Sequence, residues 1–169
     1  MLLFYMLAAE LADKTPPFSY ERIPQFVAGG LEQKSAIMEL VQRYVFMENC
    51  VVVGRGLAYA NAYEMGLKLM ETCYVVAERF SSADFLHGPL AMVERHFPVI
   101  LFAPPGVMLP GVKGLIERLR ELHADTLSIT SDLDAARLCT RSIVMSREID
   151  EFVAPIPYIV PGQLFAALL

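Results

Sequence analysis

The sequence is short of positive charge and of long apolar runs. Its 169 residues contain 14 Lys and Arg against 19 Asp and Glu, a net charge of -5. A nucleic-acid binder needs a basic face to neutralise phosphates, so this composition argues against such a partner. The longest apolar stretches, Met1–Leu11 and Val153–Leu169, are shorter than the ~20 residues of a membrane span. Because no basic segment precedes the first stretch, we expect neither a signal peptide nor a membrane span.

Paired cysteines and metal-ligand spacings are also missing. The chain has three cysteines, Cys50, Cys73 and Cys139. They form no CxxC motif, and the three histidines show no ligand-like spacing to them. We therefore predict reduced thiols in a cytoplasmic protein, with no zinc site and no cofactor.

Apolar residues, in contrast, are abundant. They make up 55% of the chain, and the mean hydropathy is +0.44. Soluble domains usually contain ~45–50% apolar residues, so the excess predicts a subunit or domain interface. Met1–Ala12 has helical composition without an N-cap, and Pro161–Leu169 looks like a helix without a C-cap. We expect the chain to be a fragment, or its ends to pack against a partner.

Short β-branched runs alternate with helical segments through most of the chain. We predict strands at Asn49–Val53, Tyr74–Glu78, Phe97–Ala103, Thr126–Thr130 and Ser142–Met145. We predict helices at Ala58–Thr72, Val112–His123 and Asp134–Thr140. This alternation predicts a three-layer α/β/α fold with a flavodoxin-like parallel sheet of about five strands. Upstream, a breaker at Lys14–Pro17 precedes two helices in series over Tyr20–Val45, interrupted at Gly29-Gly30.

Gly54, Arg55 and Gly56 form a Gly-x-Gly turn between the first predicted strand and its helix. Glycines at such a turn let the backbone approach an anion near the helix N-terminus. The spacing is not that of the GxGxxG dinucleotide fingerprint, and the loop has no Ser or Thr hydroxyls. A simple tight turn after a strand explains the pattern equally well.

Three charged residues follow on one face of the same helix. Glu64, Lys68 and Glu71 occupy positions i, i+4 and i+7. A solvated stripe with ion pairing explains them, and so does acid-base chemistry. His87 lies in an otherwise apolar loop, and a lone histidine in such a loop is also explained by a purely structural role. A Glu and a His together suit aldose–ketose isomerisation, which needs one group to carry a proton between carbons and another to open the ring.

Several motifs in order make the sequence similar to one protein family. They are Gly54–Gly56, Glu64–Glu71, Ala77-Glu78 and His87–Leu90, followed by the segment Glu151–Leu164. This series resembles the SIS (sugar isomerase) domain family, in particular the second SIS domain of glucosamine-6-phosphate synthase. The resemblance makes residues 48–169 the SIS domain and residues 1–47 a helical N-terminal segment and connector.

The resemblance implies a role for each matching residue. Glu71 takes the place of the isomerising base, Lys68 that of an active-site lysine, and His87 that of a ring-opening histidine acting in a neighbouring subunit. We add Gly54, Arg55, Gly56 and Glu64 as candidate substrate-binding residues. The implied partner is a sugar phosphate of the fructose 6-phosphate or glucosamine 6-phosphate class, bound by a homodimer.

The sequence also departs from the family. Met70 replaces a lysine, Val76 replaces a histidine, and Ser81–Phe85 differs. The family's phosphate-gripping Ser/Thr loop, its C-terminal lysine and its glutaminase domain have no counterpart here. We therefore keep three hypotheses: part of an isomerase, transaminase or deaminase; a phosphosugar-binding module without turnover; and an assembly domain.

Overall fold

The computed structural model describes residues 1–15 and 19–169 and builds them around one parallel sheet. Its strands are β1 (Asn49–Gly54), β2 (Val76–Ser81), β3 (Pro98–Ala103), β4 (Asp125–Thr130) and β5 (Arg141–Val144). Their order is β2-β1-β3-β4-β5, and every neighbouring pair is parallel. This is the flavodoxin-like order, so the predicted α/β class and strand number are confirmed.

Helices cover both faces of the sheet. They are α1 (Leu2–Leu11), α2 (Ile23–Glu32), α3 (Lys34–Val41), α4 (Tyr59–Cys73), α5 (Ser82–Leu86), α6 (Leu109–Glu121), α7 (Leu133–Leu138) and α8 (Pro155–Leu168). One core lies between the sheet and α2, α3, α4 and α8. A second core lies between the opposite face and α5, α6 and α7. The layers are therefore α/β/α.

Strand composition follows position in the sheet. The central strands β1, β3 and β4 are buried at almost every residue, as their near-continuous apolar runs predict for strands covered on both faces. The edge strands β2 and β5 keep exposed or half-buried residues. Hydrophobic spacing also places Ala62, Met65 and Leu69 of α4 in the core.

The predicted helix break at Gly29-Gly30 is wrong. Helix α2 continues through both glycines and ends at Glu32, and α3 begins at Lys34. Gly30 is buried against α8: a Cβ there would lie 3.2 Å from Val160 Cβ. The glycine thus allows close helix packing and does not break the helix. The predicted breaker Lys14–Pro17 lies partly outside the described residues.

Several boundaries also differ from prediction, and two of them have a clear physical cause. Strand β2 begins at Val76, since Tyr74 adopts a left-handed conformation (φ 58°) that caps α4. Helix α8 begins at Pro155 and contains Pro161 in its interior. Prolines suit a first helical turn, whose N–H groups have no intrahelical acceptor. Both α2 and α3 pack against α8, so the predicted connector shares the core of the sheet.

Candidate functional site

The turn after β1 is shaped by close backbone packing. Gly54 is buried, and a Cβ added there would lie 2.2 Å from the carbonyl oxygen of Ala58. Gly56 has a φ of +57°, in the left-handed region that favours glycine. Arg55, between them, is extended and half-buried. Both glycines are therefore required by the turn itself, whatever the turn binds.

A crevice opens beside this turn, between the carboxyl ends of β1 and β3, where the strand order of the sheet reverses. Open parallel sheets bind ligands at such a switch point. Arg55, Met108 and Glu151 are among the residues that line it, and Glu151 Oε2 accepts a hydrogen bond from the Val107 N–H at 3.2 Å. The free volume is about 10 Å³, room for roughly one water. A hexose phosphate would enter only if a lining side chain such as Met108 moved.

The charged stripe on α4 faces outward beside α8. Lys68 Nζ lies 2.9 Å from Glu71 Oε2, with side-chain exposures of 36% and 50%. One turn earlier, Glu64 Oε1 accepts a hydrogen bond of 3.0 Å from Gln163 Nε2 of α8. The structure therefore brings Glu64, Lys68 and Glu71 together on one helix face, and α8 restrains the first of them.

The neighbouring carboxylate of Glu71 favours the charged form of Lys68. The hydrogen bond from Lys68 to Glu71, followed by the attraction of the same carboxylate, raises the pKa of Lys68 above its ordinary value. Lys68 is therefore protonated at neutral pH. An ion pair this exposed contributes little to stability.

His87 lies elsewhere in the chain. It caps α5, its N–H donates to the Asp84 carbonyl at 3.1 Å, and its side chain is exposed just beyond the carboxyl end of β2. Helix α4 starts at that same edge and runs away from it, and Glu71 follows Tyr59 by 12 residues. At 1.5 Å per residue this is about 18 Å. Within one copy, His87 and Glu71 therefore lie near opposite edges of the sheet.

Arg55 and Glu71 are separated for the same reason. Arg55 precedes the first turn of α4, and Glu71 lies in its last. The seven predicted residues thus fall into three places: the turn after β1, the outer face of α4, and the turn after α5. A hexose phosphate is far shorter than α4, so one bound molecule would not touch all three within a single copy.

The family follows from comparison with known sequences. The profile of the SIS domain family matches residues 47–168, nearly three quarters of the chain. The chain belongs to the SIS domain family. The SIS match includes all three places described above.

Curated relatives agree with this assignment. The chain is 32% identical over 168 residues to the glutamine–fructose-6-phosphate aminotransferase (isomerizing) of Methanothermobacter thermautotrophicus, covering 98% of this chain and 28% of that protein. It is 32% identical over 148 residues to the enzyme of the same name from Escherichia coli K12, covering 86% and 24%. The chain therefore spans about a quarter of the length of these relatives.

A solved structure shows the same fold. The C-terminal domain of glucosamine-fructose-6-phosphate aminotransferase from Francisella tularensis superimposes with a TM-score of 0.81. The match covers 88% of this chain and 42% of that chain, at 24% sequence identity. It confirms the three-layer SIS architecture.

Sequence reasoning missed two residues that the SIS fold places beside predicted ones. Gln163 holds Glu64, and Glu151 lines the crevice beside Arg55. The sequence could have singled out Gln163, because it is the one amide or charged side chain in the apolar run Pro155–Leu168. No sequence pattern could have singled out Glu151, since its position depends on a loop that returns to the sheet.

Three further observations concern the thiols, metal-ligand groups and membrane-spanning helices. The cysteines are free, and burial raises the pKa of Cys50 to about 12, which suits an inert core residue. In the part of the chain that the structure describes, His, Cys, Asp and Glu form no group able to hold a metal ion. Within the same residues, no helix combines the length and apolarity needed to cross a bilayer.

Proposed function

We propose that this SIS domain supplies the proton-transferring face of an enzyme that acts on hexose or amino-sugar phosphates. The observation that carries the proposal is the outer face of α4, where Glu71 is hydrogen-bonded to Lys68 and Glu64 is held by Gln163. The names of the curated relatives, which are isomerizing aminotransferases of fructose 6-phosphate, support this chemistry.

In the proposed reaction Glu71 is the base. Its carboxylate takes the proton from C1 of an open-chain ketose phosphate, and an enediolate forms with its charge on O2. Glu71 returns that proton to C2, while O1 gives up its proton and O2 gains one, directly or through solvent, and the aldose isomer results. Lys68, as a cation, stabilises the charge that develops on the oxygen. Glu64 contacts the substrate in a geometry fixed by Gln163.

His87 would serve the site of a second copy. Since it lies far from Glu71 in its own chain, ring opening by His87 requires a homodimer. Exposed apolar side chains support such an interface: Phe46 is 92% exposed, and Leu3 and Phe4 of α1 are exposed almost as fully. Because it lies far from Glu71 of its own copy, the turn at Arg55 is likewise proposed to contact the phosphate or the sugar held by the second copy, after Met108 moves.

The division of the chain and its location belong to the same proposal. We infer that residues 1–47 act as a connector and residues 48–169 as the SIS domain, in agreement with the profile match at 47–168. A cytoplasmic location is proposed because the cysteines are free thiols, which persist in reducing compartments.

The test is proton exchange measured on the whole protein. Fructose 6-phosphate is incubated with the protein in D₂O, and deuterium incorporation at C1 and C2 is followed by NMR. Glu71→Gln keeps the size of the side chain and removes the base, so exchange should fall about 100-fold or more. Glu117→Gln, on the exposed side of α6, is the matched control. A folded Glu71→Gln protein that exchanges as fast as the control would overturn the proposal.

A second candidate function is phosphosugar binding or dimerisation without turnover. The turn after β1 and the loop after β3, Pro104–Val107, carry no Ser or Thr hydroxyl, and the crevice between them is nearly filled. This candidate predicts saturable binding of fructose 6-phosphate without deuterium incorporation, or a stable dimer that binds no sugar phosphate. The same incubation, combined with calorimetry and light scattering, separates it from the enzyme.

A further inference from the structure

A second cluster of polar side chains lines a cleft at the amino edge of the sheet, near the starts of β3, β4 and β5. Its basic lining is Arg43, His96, Arg120 and His123. The cleft has a volume of about 280 Å³ and no lining residue from α4 or α8. It therefore shares no residue with the site proposed above.

Positive charge exceeds negative charge in this cleft. The acidic lining residue is Asp125, and its carboxylate is shared by two guanidinium groups: Arg141 Nη1 at 2.5 Å and Arg43 Nε at 3.5 Å. Arg120 has no acidic partner within 4.0 Å among residues 1–15 and 19–169. One carboxylate, 12% exposed, thus offsets only part of the charge of three arginines.

The two histidines are held in an unusual backbone conformation. His96 has a φ of 65° and His123 a φ of 56°, both in the left-handed region. Such a residue costs about 1 kcal/mol or more relative to glycine, the usual choice after a helix such as α6. The His96 N–H donates to the His123 carbonyl at 2.8 Å and so joins the two turns. Both turns therefore place an imidazole, not a glycine, at the same cleft.

Hydrogen bonds join the segments that form the cleft. The Thr140 N–H donates to Thr126 Oγ1 at 2.9 Å, and the Asp125 N–H donates to the Phe97 carbonyl at 3.0 Å. These bonds tie β5 to β4 and β4 to the loop before β3. The cleft is consequently preformed, which lowers the ordering cost of binding a ligand.

We propose that this cleft binds a small phosphorylated molecule at a site separate from the α4 face. Guanidinium groups match phosphate oxygens with paired hydrogen bonds, so Arg43 and Arg120 would grip the phosphate. The imidazoles of His96 and His123 would contact the rest of the ligand. The volume is close to the lower limit of about 300 Å³ for small-molecule sites, which suits a phosphate with one sugar ring.

NMR titration of the ¹⁵N-labelled chain tests the proposal. The probes are inorganic phosphate, glucose 6-phosphate and glucose, each at ionic strength matched with KCl. The expected result is saturable shifts of the amides of residues 95–97, 120–126 and 139–141 with both phosphate probes and none with glucose. Tighter binding of glucose 6-phosphate than of inorganic phosphate would identify a sugar phosphate as the ligand.

Variants on α6 give the decisive comparison. Arg120→Gln removes an exposed, unpaired guanidinium and should weaken binding about tenfold or more, as expected for a lost charged hydrogen bond. Arg118→Gln removes the same charge from the same helix, but its partner is Glu121, outside the cleft, so affinity should be unchanged. Arg43→Gln gives an independent second test of the cleft.

Two outcomes would overturn the proposal. One is a titration in which the amides of these segments do not shift, or shift without saturating. The other is equal phosphate affinity in Arg120→Gln, Arg43→Gln and Arg118→Gln. Glu71→Gln should leave phosphate binding at the cleft unchanged, so failure of this site and failure of the proposed proton transfer are observed separately.

Discussion

Replacing Gly54 by alanine should destabilise the protein strongly, because the start of α4 lies directly over this residue. The added Cβ would be 2.2 Å from the Ala58 oxygen, 2.7 Å from its carbonyl carbon and 2.9 Å from Tyr59 Cα. All three are backbone atoms, so no side-chain rotation relieves the contact. Reaching the 3.0 Å below which real Cβ contacts essentially do not occur would need the helix start to retreat by about 0.8 Å.

The size of the effect follows from what that retreat disturbs. Ala58 is buried in the core, and the first turns of α4 pack on β1. Overpacking of this kind costs about 1–3 kcal/mol, and the upper part of that range applies because the backbone must move. For a protein of this length, 2–3 kcal/mol lowers Tm by about 4–12 °C.

Gly114→Ala is the matched control with the opposite expected sign. Gly114 is exposed in the middle of α6, and no atom lies within 4 Å of the added Cβ. Alanine there should stabilise the protein by about 0.5–1 kcal/mol, because it restricts the unfolded chain and favours the helix. Thermal and urea unfolding monitored by circular dichroism would measure both variants. The reasoning fails if Gly54→Ala unfolds with the wild-type midpoint, or if both alanines shift stability in the same direction.

Two further predictions concern stability. Asp132 caps α7 by accepting a hydrogen bond from the Ala135 N–H at 2.7 Å, and this bond is the main cause of the lowered pKa of Asp132. Asp132→Asn should therefore lower the free energy of unfolding by less than about 1 kcal/mol at pH 7. Urea unfolding at several pH values should show this difference disappear as the pH falls through the folded-state pKa of Asp132, which lies below its ordinary 3.8. Phe165 is fully buried with its ring edge-on to Tyr44 at 5.3 Å, so Phe165→Ala should cost about 3–5 kcal/mol, whereas Val107→Ala, at an exposed position, should stay within about 0.5 kcal/mol in the same assay.

Much of the fold could be read from local pattern. The buried β-branched run of β1 and the alternation with α4 and α6 predicted both the type and the order of these elements, because periodicity reports directly which side chains are covered. The errors came where distant packing decided the outcome. Gly30 looks like a helix breaker in isolation, but contact with Val160 makes it a helix-packing residue. Pro161 looks like a helix start, but α8 already begins at Pro155.

In the candidate site too, features set by local spacing were predictable, and features set by distant packing were not. Helical spacing placed Glu64, Lys68 and Glu71 on one face, and the structure agrees, because the spacing of neighbours along one helix is set by its pitch. The partnership of Glu64 with Gln163 spans 99 positions and has no local signature. The distance between Glu71 and His87 was equally hidden, since it depends on the direction in which α4 crosses the sheet.

The sequence by itself determined the α/β class, the parallel sheet, the SIS family and the charged face of α4. Each of these depends on residue types at short, regular spacings, where chain geometry leaves few alternatives. Only the tertiary structure decided which predicted residues lie apart, that the crevice beside Arg55 is nearly filled by its lining side chains, and that Arg43, His96, Arg120 and His123 share one cleft. Those four residues come from three separate segments of the chain, since Arg120 and His123 both lie at the end of α6, and the order in which the strands assemble brings the segments together.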